Sequence, residues 1–242
     1  MTIIPATKFT HLAISLASVF ALPACAPGPL DKSRQITEKV IHDARGEGVF
    51  IDASTPAGAA IRHTPSGMVC PLPADGAVNV EVFPSDADNP GAACSLSSGV
   101  AATTLLAVKF KEAPTLDAAF SDSLASNAKF DKPAQWSGAP SGADLEPATG
   151  LPHYRIVRLQ GDIGGERTYF RLSMTEKGGW FVQQLVFAPL TNGDRAEAEA
   201  GREWRALLSE VAGKVATPTA SAPAAAAATT SATKVAATGM KP

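Results

Sequence analysis

Three segments, Tyr154–Gln160, Arg167–Thr175 and Trp180–Ala188, alternate in side-chain character with a period of two. That period sends successive side chains to opposite faces of a strand. The middle segment places Phe170, Leu172 and Met174 on one face and Tyr169, Arg171 and Ser173 on the other. In the third, Phe181, Leu185 and Phe187 alternate with Trp180, Val182 and Val186. The connections are glycine turns, Gly161-Asp162-Ile163-Gly164-Gly165 and Lys177-Gly178-Gly179, so the strands run antiparallel in a meander. The first turn has neither the lysine nor the following helix of a phosphate loop. Because both faces carry apolar residues, the rest of the chain has to cover them.

The covers are legible as helices. Ile36, Val40 and Ala44, widened by Ile41, predict a helix over 31–44 that Gly46 and Gly48 stop. After Pro114, Leu116, Phe120 and Leu124 recur every four residues and predict a helix over 115–128. A third helix is expected from a cap at Asp194 to Gly213, burying Ala196, Ala200, Trp204, Leu207, Leu208 and Val211. Its Glu197, Glu199 and Glu203, mixed with Arg195, Arg202 and Arg205, read as a solvated face.

The remaining segments are shorter. Val49–Ile51, Ile61–His63, Gly67–Cys70, Val78–Phe83 and Thr103–Lys111 read as strands, with a surface loop over 85–91. In that loop Asp86 and Asp88 lack the glycine and closing glutamate of a calcium loop. Residues 131–150 form a Pro, Gly, Ser and Ala-rich connection, long enough to be either functional or draped over the core. Trp136 within it is expected to plug a gap.

The N-terminus carries an address. An apolar run, Leu12–Leu22, follows the single charge Lys8 and ends in Leu22-Pro23-Ala24-Cys25. The run suits a signal peptide and falls short of the roughly 20 residues that span a bilayer. The LPAC tetrad resembles a bacterial lipobox. That resemblance implies cleavage after residue 24, lipidation of Cys25 and a spacer over 25–30. Ala26, rather than an aspartate, then points to the outer membrane, facing the periplasm. Two or three acyl chains, at about 0.8 kcal/mol per buried methylene, give a lasting anchor.

Removing residues 1–24 leaves 20 Lys and Arg against 23 Asp and Glu. There is no basic field to recruit nucleic acid. Of the three cysteines, lipidation of Cys25 leaves Cys70 and Cys94 as an even pair, expected to form a disulfide outside the cytoplasm. Residues 31–214 are read as one domain. Beyond it, 21 of the 26 residues from Thr217 to Pro242 are Ala, Pro, Ser or Thr, which predicts a disordered tail over 215–242.

The order helix, strands, helix, three-stranded meander, helix resembles lipoproteins of the Mog1/PsbP-like fold. The segments TTLLAVKF, HYRIVRL and RTYFRLSMTEKGGWFVQQLVF carry that resemblance. It implies an α+β domain, an antiparallel sheet with helices on its faces; a cystatin-like curved sheet is the alternative. Such proteins mostly look like accessory or binding modules. The expectation is therefore a monomeric, non-enzymatic envelope module, anchored to the membrane by lipid, with an envelope protein or peptide as partner and no cofactor. A tether using the tail is a second reading. Hydrolysis by Cys70 or Ser66 with His63 as base is a third, because His63-Thr64-Pro65-Ser66-Gly67 supplies both residue types. The scattered histidines and unpaired spacing give no metal site. Arg155, Arg158, Arg167 and Arg171 lie on neighbouring strands and form either a basic binding strip or ordinary cross-strand pairs with acids.

Overall fold

The computed structural model describes residues 28–73, 76–84, 87–145 and 150–212. The expected leader, Cys25 and the expected tail lie outside the described residues. In chain order the elements begin with helix α1 (Pro29–Asp43) and strands β1 (Phe50–Asp52), β2 (Ala59–His63) and β3 (Val69–Leu72). Strands β4 (Ala77–Phe83), β5 (Gly91–Ser97) and β6 (Ala102–Val108) precede helix α2 (Leu116–Asn127). Strand β7 (Asp131–Gln135) and the short helix α3 (Gly142–Leu145) come next. Strands β8 (Tyr154–Ile163), β9 (Glu166–Lys177) and β10 (Trp180–Pro189) then lead to helix α4 (Gly193–Ala212).

The expected meander is the centre of a seven-stranded antiparallel sheet, ordered β4-β5-β6-β10-β9-β8-β7. Its turns need backbone that glycine supplies: Gly164, Gly165, Gly178 and Gly179 have φ of 59°, 87°, 61° and 81°. Register aligns one row across a single face: Val80, Cys94, Leu105, Gln184, Ser173 and Ile156. β1, β2 and β3 form a separate three-stranded antiparallel sheet. The fold is α+β and a single domain.

The two faces of the large sheet are covered differently. On one, α2 brings Ala119, Phe120 and Leu124 onto Phe170, Leu172, Met174 and Phe181. Thr115 caps that helix by accepting the Ala118 amide hydrogen. On the other face, Trp204, Leu207, Leu208 and Val211 of α4 share a core with Ile61 and Cys70 of the small sheet and Leu105 and Val182 of the large one. Burying side chains of that size contributes about 1.5–3 kcal/mol each.

Several local expectations change. β5 lies where only a loop and Cys94 were foreseen, and β7 and α3 fall inside the 131–150 connection. Asp194 sits in the first turn of α4 instead of capping it. Glu197, expected on a solvated face, is 1% exposed, because that side of α4 is covered by the 136–145 segment. Trp136 plugs a gap as expected, its ring 5.0 Å from that of Tyr169.

Candidate functional site

On the α4 face the small sheet and α4 lie side by side, leaving a seam whose floor is the large sheet. Cys70 of β3 and Cys94 of β5 stand at disulfide distance, with Cα atoms 6.3 Å apart, and pin the small sheet down. α4 is held by its apolar stripe. A cleft of about 440 Å³ opens in the seam, floored by Leu96, Thr103 and Val186. Ile36, Pro71 and Leu72 wall it on one side and Ala196 and Ala200 on the other, with Glu199 and Glu203 at its edge. A second cleft, about 340 Å³, shares Pro71 and Glu203 with the first and adds Arg62, Val69, Leu105, Leu207 and Glu210. Clefts with apolar walls and a few convergent polar groups are the usual form of a binding site.

Gln184 lies behind Glu203, the polar residue that the two clefts share, and lines neither cleft. It is wholly buried, with Leu105 and Ser173 as its strand neighbours. Its Nε2 donates to Glu203 Oε2 at 3.4 Å, while its Oε1 is buried without a partner. An unpaired buried acceptor costs about 1–3 kcal/mol. Glu203 as a residue is exposed, yet its carboxylate turns toward Gln184. Burial of that carboxylate and then the charge of Glu199 push its pKa up, against the opposing pull of Arg202. Sequence reasoning passed over this pair. The signal available was a Gln183-Gln184 pair in the middle of an apolar strand. Gln183 points to the other face, where it accepts from Ser123 of α2 at 2.8 Å.

The four arginines are not brought together. Arg158 and Arg171 are opposite each other in register, and Arg171 is fully buried. Arg171 donates to Asp144 Oδ2 at 2.7 Å, to both oxygens of Glu197 at 2.9 Å and to Ser173 Oγ at 2.9 Å. Arg158 donates to Glu197 Oε1 at 2.6 Å and also to Asp144. The Tyr169 hydroxyl donates to Glu197, and the Ser141 amide donates to it at 2.8 Å. Two cations therefore meet two carboxylates. Burial pushes the Asp144 pKa up, but Arg171 and Arg158 outweigh it and hold the carboxyl below its usual range. The cluster fastens the 136–145 segment to α4, helped by Arg205, which donates to the Ala143 carbonyl. Gly201 permits the close approach, since a Cβ there would collide with Ser141. Arg155 lies on the opposite face, donating to both oxygens of Asp117 on α2, and Arg167 is exposed across from Asp162.

His63 and Ser66 do meet. Ser66 Oγ lies 2.7 Å from His63 Nδ1 and accepts the Met68 amide hydrogen at 3.1 Å, locking the β2–β3 turn. His63 is 1% exposed, wedged between the rings of Phe50 and Trp180, and burial pushes its pKa down to about 4. Neither residue lines either seam cleft. The geometry is that of a neutral histidine bracing a hairpin.

No protein-family model and no curated protein matches this chain. Among solved structures, the chain is similar to PA94, a Pseudomonas aeruginosa protein of unknown function. The two are 11% identical, the alignment covers 65% of this chain and 95% of that one, and the TM-score is 0.26.

Proposed function

We propose that this protein is a lipid-anchored module of the bacterial cell envelope, held by Cys25 at the outer membrane on its periplasmic side, that acts by binding and not by catalysis. The anchor rests on the LPAC tetrad after an apolar run of signal-peptide length. The binding role rests on one observation, the seam cleft of about 440 Å³ between the small sheet and α4, with apolar walls and Glu203 at its edge. Its shape suits an extended segment of peptide with small apolar side chains, laid along the seam.

Two measurements test this reading. Intact mass of the protein produced with its own leader should begin at Cys25 and carry acyl chains; a product cleaved elsewhere, or unlipidated, removes the anchor. Nile red, a neutral apolar dye, should bind the full chain at one site and lose that site in Ala101→Trp, which fills the cleft from its rim. Dye binding unchanged by that substitution would remove the groove.

A further inference from the structure

We infer that the outer edge of β4 is where this chain pairs with a second copy of itself, antiparallel about a two-fold axis at Val80, so that two seven-stranded sheets become one. The two sheets of the fold end in four strands, β1, β3, β4 and β7. An edge strand presents unpaired backbone N–H and C=O groups, and proteins blunt such edges with short strands, proline, lysine or irregular register. Three of these four are blunted. β1 has three residues, and β3 has four, Pro71 among them. β7 carries Lys132 at φ 56° and then Pro133, and its register with β8 shifts between Asp131 and Ala134. β4 carries none of these devices. Its seven residues hold continuous register with β5 from Ala77 to Phe83, and no strand among the described residues pairs with its other side.

The sequence of β4 is complementary to itself. Antiparallel pairing about a two-fold axis keeps each face of the sheet continuous, so a residue meets one that points the same way. With the axis at Val80, all seven residues pair: Val80 meets its own counterpart, and Val78 meets Val82 of the second copy. Val78, Val80 and Val82 are half-buried against the main core, and the valines of the second copy close their open flank. On the opposite face Asn79 and Glu81 are exposed, and Asn79 Nδ2 donates to Glu81 Oε1 at 2.8 Å. The amide nitrogen has a second N–H, which this register aims at Glu81 of the second copy. Two amides and two carboxylates then close a ring. Moving the axis to Glu81 sets the two carboxylates opposite each other, and moving it to Asn79 leaves Val82 and Phe83 beyond the partner strand. β4 lines neither seam cleft, so the pairing is independent of the groove. It departs from the monomer expected from the sequence.

Sedimentation equilibrium of the full chain, in detergent matched to the solvent density, should show monomer and dimer in equilibrium. Asn79→Glu, at an exposed position, creates two like-charge pairs by symmetry and should weaken the dimer on the order of tenfold, with Nile red binding at the seam unchanged. Adding Glu81→Lys to that variant should restore the dimer. Register is read by mixing Asn79→Cys chains with Glu81→Cys chains under mild oxidation. In the pairing these positions stand about 4.5–5.5 Å apart between Cα atoms, within disulfide reach, whereas position 79 lies about 7–8 Å from position 79 of the second copy. The mixture should therefore give cross-linked dimers, and each variant by itself should give few. A chain that stays monomeric, a dimer indifferent to Asn79→Glu, equal cross-linking by Asn79→Cys without its counterpart, or cross-links to a different protein would overturn the inference and leave the groove reading intact.

Discussion

Two polar regions lie under the same helix, six residues apart on α4, and their chemistry diverges. At Glu197 each charge has a partner: Arg158, Arg171, Asp144, Tyr169 and Ser141 close the network. At Glu203 the buried Gln184 is half satisfied, and Glu203 itself lines both clefts. The acids respond in opposite directions, Asp144 held below its usual pKa and Glu203 raised above it. A saturated cluster holds segments together. An unsaturated one with space beside it is where a ligand adds contacts at least cost.

The largest effect expected from this contrast is at Arg171. Arg171→Met leaves Asp144 and Glu197 buried beside a single cation, and should cost about 3–5 kcal/mol in urea denaturation. Its pH dependence has a defined sign. A carboxyl with a depressed folded pKa contributes stability above its ordinary range and loses it as pH falls, so Asp144→Asn should flatten the acid limb of the stability curve. A fully stable Arg171→Met protein would break the comparison.

Next is the pin of the small sheet. Removing the Cys70–Cys94 link, which closes a loop with sequence separation 24, should cost roughly 3 kcal/mol on the chain-entropy model. Hydrogen exchange should rise along β2 and β3 and the seam should loosen, with the Arg171 network unchanged. His63 adds a separate acid sensitivity. Because burial holds its folded pKa at about 4 against an ordinary 6.5, the unfolded chain takes up the proton first as pH falls between those values. Stability should drop by on the order of 3 kcal/mol across that window, and His63→Leu should remove the slope. The smallest effect is at Glu203. Glu203→Gln should change stability by no more than about 0.5 kcal/mol, as for a surface substitution. Its raised pKa makes the carboxylate mildly unfavourable to folding as pH rises through its range, which the amide relieves.

The parts of this architecture that repeat locally were legible in the sequence. The meander follows from alternation and glycine turns, the α2 boundaries from Thr115 and the four-residue spacing, and the α4 stripe from Trp204 and its neighbours. β5 was hidden because Gly91-Ala92-Ala93-Cys94 carries none of the branched or aromatic side chains that mark strands; Gly91 is small because its Cβ would meet the Ala107 carbonyl. The fate of Glu197 was hidden for another reason. Helical spacing places a charge on a face, but the partners that bury this one, Arg158 and Arg171, come from strands 39 and 26 residues away. Gln184 is the instructive case: its apolar context was a signal that sequence reasoning passed over, and only the packing reveals that its Oε1 goes unpaired.

The contrast between the two regions is tested most directly by amide NMR spectra of the full chain recorded with and without Nile red. Dye in the seam should shift resonances at Leu72, Leu96–Thr103 and Ala196–Glu203, while Arg158, Arg171 and Asp144 stay fixed. Shifts at the buried network with a silent seam would contradict the account.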